Sequence, residues 1–554
     1  MTGMDRAPRH TLGIRELLSP EGFDRAGEFG GSGASATSGD GEPPIVDDTV
    51  ISGVCLDSRD VEPGDLYVAI GGATTHGIHH ALDAVRRGAV AVTIDPADIV
   101  SFEPEAAAAL EALLEEGVPI VEVPALASRA PDIASRFHGY PDRALTIVAV
   151  TGTDGKTSVC RFVAEALSML GASCGYIGTI GWGMGDSLGE TTLTTPDALA
   201  LRRMLAALRR EGARAVALEA SSHALASERL AGLDIDVAVL TNLGRDHLDF
   251  HGDVDAYRAA KARLFDWASL SAVVLNGDDA FGRELSARLA DERADVERTV
   301  YRARAGESDG SPAGAEPSSA ERSAPSVRQI AARDVRTDMG GLSFTLVDGE
   351  ETHRVVSSLA GRFNVDNLLA CHGVLRSFGY EAAVAAGALA RLAPVAGRME
   401  RFSAAAESGS RPMVIVDYAH TPQALAAALS AARDHCTGEL WVVFGCGGDR
   451  DQGKRAPMGR AAEAADHIVV TDDNPRREAS ADIIEAVLGG MRDRDRAEVV
   501  PDRASAIAYA VRAAGEGDVV LVAGKGHEDY QIVGERRLAL SDRVCVHELL
   551  AEAC

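Results

Sequence analysis

The run Gly152-Thr153-Asp154-Gly155-Lys156-Thr157-Ser158 holds residue types that cradle a phosphate. Gly lets the backbone approach phosphate oxygens, and a helix opening here presents free N–H groups at its positive dipole end. Lys156 can neutralise β- and γ-oxygens, and Thr157 or Ser158 can reach Mg²⁺. The run is not a full G-x-x-x-x-G-K-[ST] loop, because Val150 stands where the first Gly would fall. The alternative is an ordinary Gly-containing turn. An apolar run before it and an amphipathic stretch after it favour nucleotide binding.

Carboxylate and imidazole candidates follow. Glu219 ends the apolar run 215–218. It should project from the C-terminal edge of a sheet strand, where open α/β sheets hold their ligands. His247 lies just after the next strand, in Thr241-Asn242-Leu243-Gly244-Arg245-Asp246-His247. At two adjacent strand ends, Glu219 and His247 could share one Mg²⁺, although a surface loop His is the commoner case. Lys261, in Tyr257-Arg258-Ala259-Ala260-Lys261, has the composition of an exposed helix Lys.

The elements that must position these residues alternate as strand, turn and helix. Apolar runs at 145–150, 215–218, 237–240 and 272–275 read as buried strands, and 158–170 reads as a helix. A second set, at 413–416, 440–444, 467–470 and 519–523, restarts after Gly397. The pattern predicts two parallel sheets covered by helices. A smaller unit precedes them, with a strand at 65–70 and a helix near 80–87. At 554 residues the chain is too long for one core, and we place domain cuts near 143 and 396. The stretches 26–44 and 305–326, rich in small and polar residues, read as a flexible linker and a disordered insertion.

Composition narrows the function. With 46% hydrophobic and 25% charged residues, most of the chain should be globular. Lys plus Arg is 55 against 83 Asp plus Glu, a net charge of -28. That argues against broad nucleic-acid or anionic-membrane binding, but not against a local nucleotide pocket. No apolar run reaches the length of a membrane span, and the first ten residues lack a signal-peptide core. The eight Cys include no C-x-x-C pair, so a soluble cytoplasmic protein with reduced thiols is expected.

In order along most of its length, the chain resembles the Mur ligases, the ATP-dependent amino-acid ligases of peptidoglycan precursor synthesis. The likeness is to members that add the third residue of the peptide. It is carried by Leu56-Asp57-Ser58-Arg59, the loop at 151–157, Glu219-Ala220-Ser221-Ser222-His223, and Thr241-Asn242 with Asp246-His247-Leu248-Asp249. Gly361-Arg362-Phe363-Asn364 with Asn367, Gly397-Arg398-Met399-Glu400 and Asp417-Tyr418-Ala419-His420-Thr421-Pro422 continue it. Gly445-Cys446-Gly447-Gly448-Asp449-Arg450-Asp451, Asp473-Asn474-Pro475-Arg476 and Gly524-Lys525-Gly526-His527-Glu528 complete it. Four positions depart from the family pattern: Leu193, Ser227, Gln423 and Gln452.

The resemblance implies an α/β protein of three domains. These are a UDP-sugar-binding domain at 1–142, a P-loop-type ATPase domain at 143–396 and a Rossmann-like amino-acid domain at 397–554. It implies activation of a substrate carboxylate by ATP, giving an acyl phosphate that an incoming amine attacks. Asn242 and Asn364 would join the loop 152–158 in holding ATP. Thr157, Glu219, His247 and a carbamate on Lys261 would hold Mg²⁺, with Lys156, Glu219, His247 and Lys261 as the catalytic set. Leu56, Ser58, Thr194, Thr195, Ser221, Ser227 and Arg229 would hold the UDP-N-acetylmuramoyl-dipeptide. For any single hydroxyl among them, a helix cap or loop hydrogen bond is the plainer role. Arg450, Asp473, Asn474, Pro475, Arg476, Gly524 and Glu528 would form the amino-acid pocket, Arg450 for a carboxylate and Glu528 for an ammonium. Arg476 suits the distal carboxylate of meso-diaminopimelate, which lysine lacks. L-Lysine or another diamino acid is the alternative substrate, and a solvated loop Arg the alternative for Arg476. A non-catalytic nucleotide-binding relative is the rival from another class. A monomer is expected.

Overall fold

The computed structural model describes residues 11–18, 49–72, 75–100, 105–191, 193–303, 327–403 and 411–551. The stretches 26–44 and 305–326 lie outside the described residues.

Among the described residues three sheets have four or more strands, and two further sheets are two-stranded. The first is four-stranded and parallel, in the order Gly53–Cys55, Asp65–Ala69, Ala91–Ile94, Ile120–Glu122. The second has 11 strands. Its parallel part runs Cys174–Gly178, Ala215–Glu219, Thr146–Thr151, Val237–Leu240, Ala272–Asn276, Glu297–Arg302, Arg328–Asp338. The central strands of this part are buried along their length, which is why they read as unbroken apolar runs. The third sheet has six strands, in the order Glu400–Phe402, Met413–Asp417, Val519–Ala523, Leu440–Phe444, His467–Val470, Ala497–Val499. All its pairings are parallel except that of the first strand.

Two details differ from the sequence reading. The second sheet is not purely parallel. Antiparallel strands Gly181–Met184 and Ser187–Gly189 extend one edge, and Gly341–Asp348 and Glu351–Ser357 extend the other. Arg328–Asp338 and its partners alternate polar and apolar residues, because one face is solvated, and so lack the apolar run that marked the centre. Secondly, the strands ending near Glu219 and His247 are not neighbours. Thr146–Thr151 lies between them and pairs with both. The chain leaves this strand for a helix and returns on both sides of it, so the ends of the flanking strands bracket the phosphate loop.

Candidate active site

The loop after Thr146–Thr151 is held open by glycine. A Cβ on Gly152 would collide with Thr241 Oγ1, and one on Gly155 (φ 83°) would lie 2.6 Å from Asn367 Oδ1. Thr241 and Asn242 clamp the loop from the next strand. Thr241 Oγ1 donates to the Asp154 carbonyl at 2.6 Å, and Asn242 Oδ1 accepts from the Asp154 N–H at 3.0 Å. The following helix, Lys156–Met169, has no side chain capping its N-terminus. Helices at 198, 254 and 280 are capped by Asp197, Asp253 and Asp279. The uncapped end leaves backbone donors for an anion.

Two lysines converge on one carbonyl. Lys156 Nζ donates to the carbonyls of Gly152 at 2.9 Å and Thr153 at 2.8 Å. Lys261 Nζ donates to the Gly152 carbonyl at 2.7 Å. Lys261 is 1% exposed, which corrects the exposed-helix reading of its composition. Its helix, Val254–Ala262, turns that face inward, and the Tyr257 ring lies 4.5 Å from Nζ. Tyr257 also bonds Thr153 Oγ1 through its hydroxyl at 3.0 Å, so one aromatic residue braces both loop and lysine. Burial, then the neighbouring Lys156 charge, pushes the Lys261 pKa down to about 6. Burial also lowers that of Lys156.

Glu219 is buried at the end of its strand. Its Oε1 accepts from Tyr176 Oη at 2.5 Å and the Thr179 N–H at 2.9 Å, and Oε2 accepts from Thr179 Oγ1 at 3.0 Å. His247 is half exposed, in left-handed backbone at φ 54°, with Nε2 3.4 Å from Asp246 Oδ2. Its ring meets that of His223 edge-on, 4.6 Å between centroids. Among the described residues no group of three or more His, Cys, Asp or Glu side chains could hold a metal. Thr157 is buried in the first turn of the loop helix, as is Ser158. Asn364 is buried and donates to the Ala360 carbonyl at 2.7 Å, and it accepts from Asn367 at 2.9 Å. Asn364 thus reaches Gly155 through Asn367.

Beside Glu219, Thr195 Oγ1 donates to the Glu219 carbonyl at 2.6 Å and accepts from the Ser221 N–H at 3.1 Å. Ser221 caps the helix Ser222–Ala226, and Ser227 ends it. Arg229 Nη1 donates to the Thr195 carbonyl at 3.0 Å, and the Thr179 hydroxyl, whose proton goes to Glu219, accepts from Thr194 Oγ1 at 3.2 Å. Thr195 and Ser221 therefore make the cap and loop bonds of their plainer role. Leu56 lines a small cleft with Asp57, Asp197, Leu199 and Arg203, between the first sheet and the helix Ala198–Arg210. Ser58 is buried in the turn that Asp57 caps.

The third sheet presents a second constellation at its strand ends. Arg476 Nη1 donates to the Gly448 carbonyl at 2.8 Å, so this Arg is tethered rather than freely solvated. A Cβ on Gly447 would meet Arg476 Nη1 at 2.9 Å and Arg450 Cγ at 3.7 Å, which sets both arginines beside that glycine. Asn474 Nδ2 donates to Glu528 Oε2 at 3.1 Å, and Gln531 Nε2 donates to the Asp473 carbonyl at 2.8 Å. Gly524, with φ 118°, lies against Asp473: a Cβ there would be 3.0 Å from Asp473 Oδ2. Pro475 is buried between Asn474 and Arg476.

Sequence reasoning assigned no role to Tyr176, Thr179, Tyr257 or Thr241, which brace Glu219, the loop and Lys261. An aromatic residue inside an apolar strand or helix reads as core, so only contacts across the sheet show these braces.

Comparison with known proteins places this geometry. Residues 50–138 match the Mur ligase family catalytic domain, 150–375 the Mur ligase middle domain, and 397–526 the Mur ligase glutamate ligase domain. A protein of Alkalilimnicola ehrlichii named UDP-N-acetylmuramoyl-L-alanyl-D-glutamate–2,6-diaminopimelate ligase is 46% identical over 507 residues, 91% of this chain and 96% of that one. One of the same name from Pseudomonas aeruginosa is 43% identical, covering 90% of this chain and 95% of its own. A solved structure of a ligase of that name superposes with TM-score 0.63 at 32% identity, covering 98% and 99% of the two chains. A MurF ligase from Thermotoga maritima shares the fold, with TM-score 0.55 at 17% identity over 90% of this chain and 96% of that one.

Proposed function

Because the chain belongs to the Mur ligase family, we propose that it joins meso-diaminopimelate to the D-glutamate of UDP-N-acetylmuramoyl-L-alanyl-D-glutamate, with cleavage of ATP to ADP and phosphate. The observation that carries this reading is the pair of lysines on the Gly152 carbonyl, at an uncapped helix end and with no carboxylate partner at ion-pair distance among the described residues. Such a site lacks an anion, and a triphosphate supplies one.

The γ-phosphoryl group passes from ATP to the D-glutamate carboxylate, forming an acyl phosphate and ADP. A free amino group of diaminopimelate then attacks the acyl carbon and loses a proton, an amide forms, and phosphate leaves. Lys156 and the helix N–H groups meet the charge that spreads over the phosphoryl oxygens. The neutral Lys261 amine, favoured by its lowered pKa, attacks CO2, forming an N–C bond and releasing one N–H proton to solvent; the resulting carbamate turns a donor into an anionic oxygen ligand. Thr157, Glu219 and that carbamate are hard oxygen donors of the kind Mg²⁺ prefers, and they would hold it with His247. When bound, Mg²⁺ neutralises phosphate charge. Thr194, Thr195, Ser221 and Arg229, grouped beside Glu219, face the dipeptide end, and Leu56 and Ser58 the UDP-sugar. Arg450 and Arg476 take carboxylates of the diamino acid, and Glu528 its distal ammonium.

No described helix is long and apolar enough to cross a membrane. We infer a cytoplasmic monomer divided near 143 and 396. Phosphate release measured with UDP-N-acetylmuramoyl-L-alanyl-D-glutamate, ATP and a panel of diamino acids tests the function. Turnover with meso-diaminopimelate at a higher kcat/KM than with L-lysine is expected. Equal or reversed preference removes the substrate assignment, and no amino-acid-dependent turnover removes the ligase reading.

A further inference from the structure

The amino-acid pocket contains a cation to which no role has yet been given. Lys525 is 0% exposed, although lysine is almost never fully buried without a partner. Its Nζ donates to Glu528 Oε2 at 3.1 Å, Asn474 Oδ1 at 3.1 Å and the Tyr530 carbonyl at 2.7 Å. An ammonium has three N–H donors, so these acceptors exhaust it. Asp473 Oδ1 lies 3.7 Å away. The ammonium has no donor left for a ligand.

Its neighbours are fixed in turn. Asn474 Oδ1 accepts from Lys525 and from the Ile532 N–H at 2.9 Å, while its Nδ2 donates to Glu528 Oε2. Oε2 of Glu528 is therefore occupied twice. Among the described residues no hydrogen bond engages Oε1. The nearby Arg503 does not alter this balance, because Asp542 accepts from it twice at 2.7 Å. Lys525 offsets one of the two carboxylates, Asp473 and Glu528, and leaves one negative charge for an incoming cation.

We propose that Lys525 is a positioning residue for the incoming amino acid. It holds Glu528 by one oxygen so that the other meets the distal ammonium, and it locks the Asn474 amide from which the chain turns into Arg476. Removing it leaves Glu528 held by Asn474 and not by a cation, and sets two carboxylates near each other with one counter-charge fewer. This inference rests on the diaminopimelate reading above.

Steady-state kinetics of the full chain test it with Lys525→Met and Lys525→Gln, alone and in a Glu528→Gln background. The Met variant should raise KM for meso-diaminopimelate at least tenfold, with KM for ATP and for the UDP-dipeptide changed less than twofold. The Gln variant, which keeps a donor, should lie between Met and wild type. In the Glu528→Gln background the Met substitution should add less than threefold, because the two residues act as one unit. A common rise of all three KM values, a full effect in the Glu528→Gln background, or failure of both single variants to melt cooperatively would make Lys525 a structural residue only. A working wild type with an unchanged Lys525→Met variant overturns the inference alone. A wild type that turns over no diamino acid overturns the parent reading and this one with it.

Discussion

Buried cations occur at the phosphate loop and in the C-terminal pocket, and they are held in opposite ways. At the phosphate loop, among the described residues, Lys156 and Lys261 donate to carbonyl oxygens only. At the C-terminal pocket, Lys525 bonds Glu528, and Arg503 makes a two-bond pair with Asp542. The chemistry of the acceptor separates them. A carbonyl satisfies a donor but brings no full counter-charge, so burial lowers the lysine pKa and the site gains when an anion arrives. A carboxylate satisfies both, so the cation is spent on holding the scaffold. Burial alone would not distinguish a ligand-binding cation from a structural one.

The largest expected effect breaks the loop side. Lys156→Ala should lower ATP-dependent phosphate release by roughly 10³-fold, about 4 kcal/mol of barrier. Its melting temperature should change little, because no carboxylate lies at ion-pair distance from Lys156 among the described residues. Retained turnover in that variant would end the phosphate role. Arg503→Met should do the reverse and destabilise the fold by about 3–5 kcal/mol, since Asp542 remains buried alone. Calorimetry of Arg503→Met and of the double variant with Asp542→Leu checks this, and the double variant should recover much of the loss. If the single variant melts like wild type, the scaffold side of the contrast fails.

Lys261→Ala should cost about 10²-fold in turnover, about 2.7 kcal/mol, with partial rescue by a short carboxylic acid. The pH dependence carries a sign. The neutral amine accepts CO2, and protonation below about pH 6 removes it, so activity should fall there and added bicarbonate should shift the fall to lower pH. Insensitivity to bicarbonate would leave Lys261 a loop brace. The smallest effect sharpens the pocket side. Arg476→Ala should reduce the preference for meso-diaminopimelate over L-lysine by about tenfold, about 1.4 kcal/mol, the scale of one charge-assisted contact. Competition between the two amino acids reads it directly.

Two of the site residues share a feature that no composition could reveal. His247 and Arg476, neither a glycine, have φ of 54° and 51°. Left-handed backbone at a non-glycine residue carries strain, and strained residues gather at functional sites.

The sequence by itself determined the phosphate loop, the parallel strands that carry it and the two sets of strands, because a fully buried parallel strand must be an apolar run and a phosphate turn must have its glycines. It also placed Glu219 at a strand end. Tertiary structure alone decided that Thr146–Thr151 stands between the two flanking strands, since strand order is not local. It turned Lys261 from an apparently exposed helix residue into a buried one, because the face a helix buries depends on what packs against it. It gave Tyr257 and Tyr176 their bracing bonds, which join residues 104 and 43 positions apart. Periodicity and motif spacing are properties of neighbours along the chain. The balance of charge around a buried ammonium is set by groups that meet only after folding, and that balance separates Lys156 from Lys525.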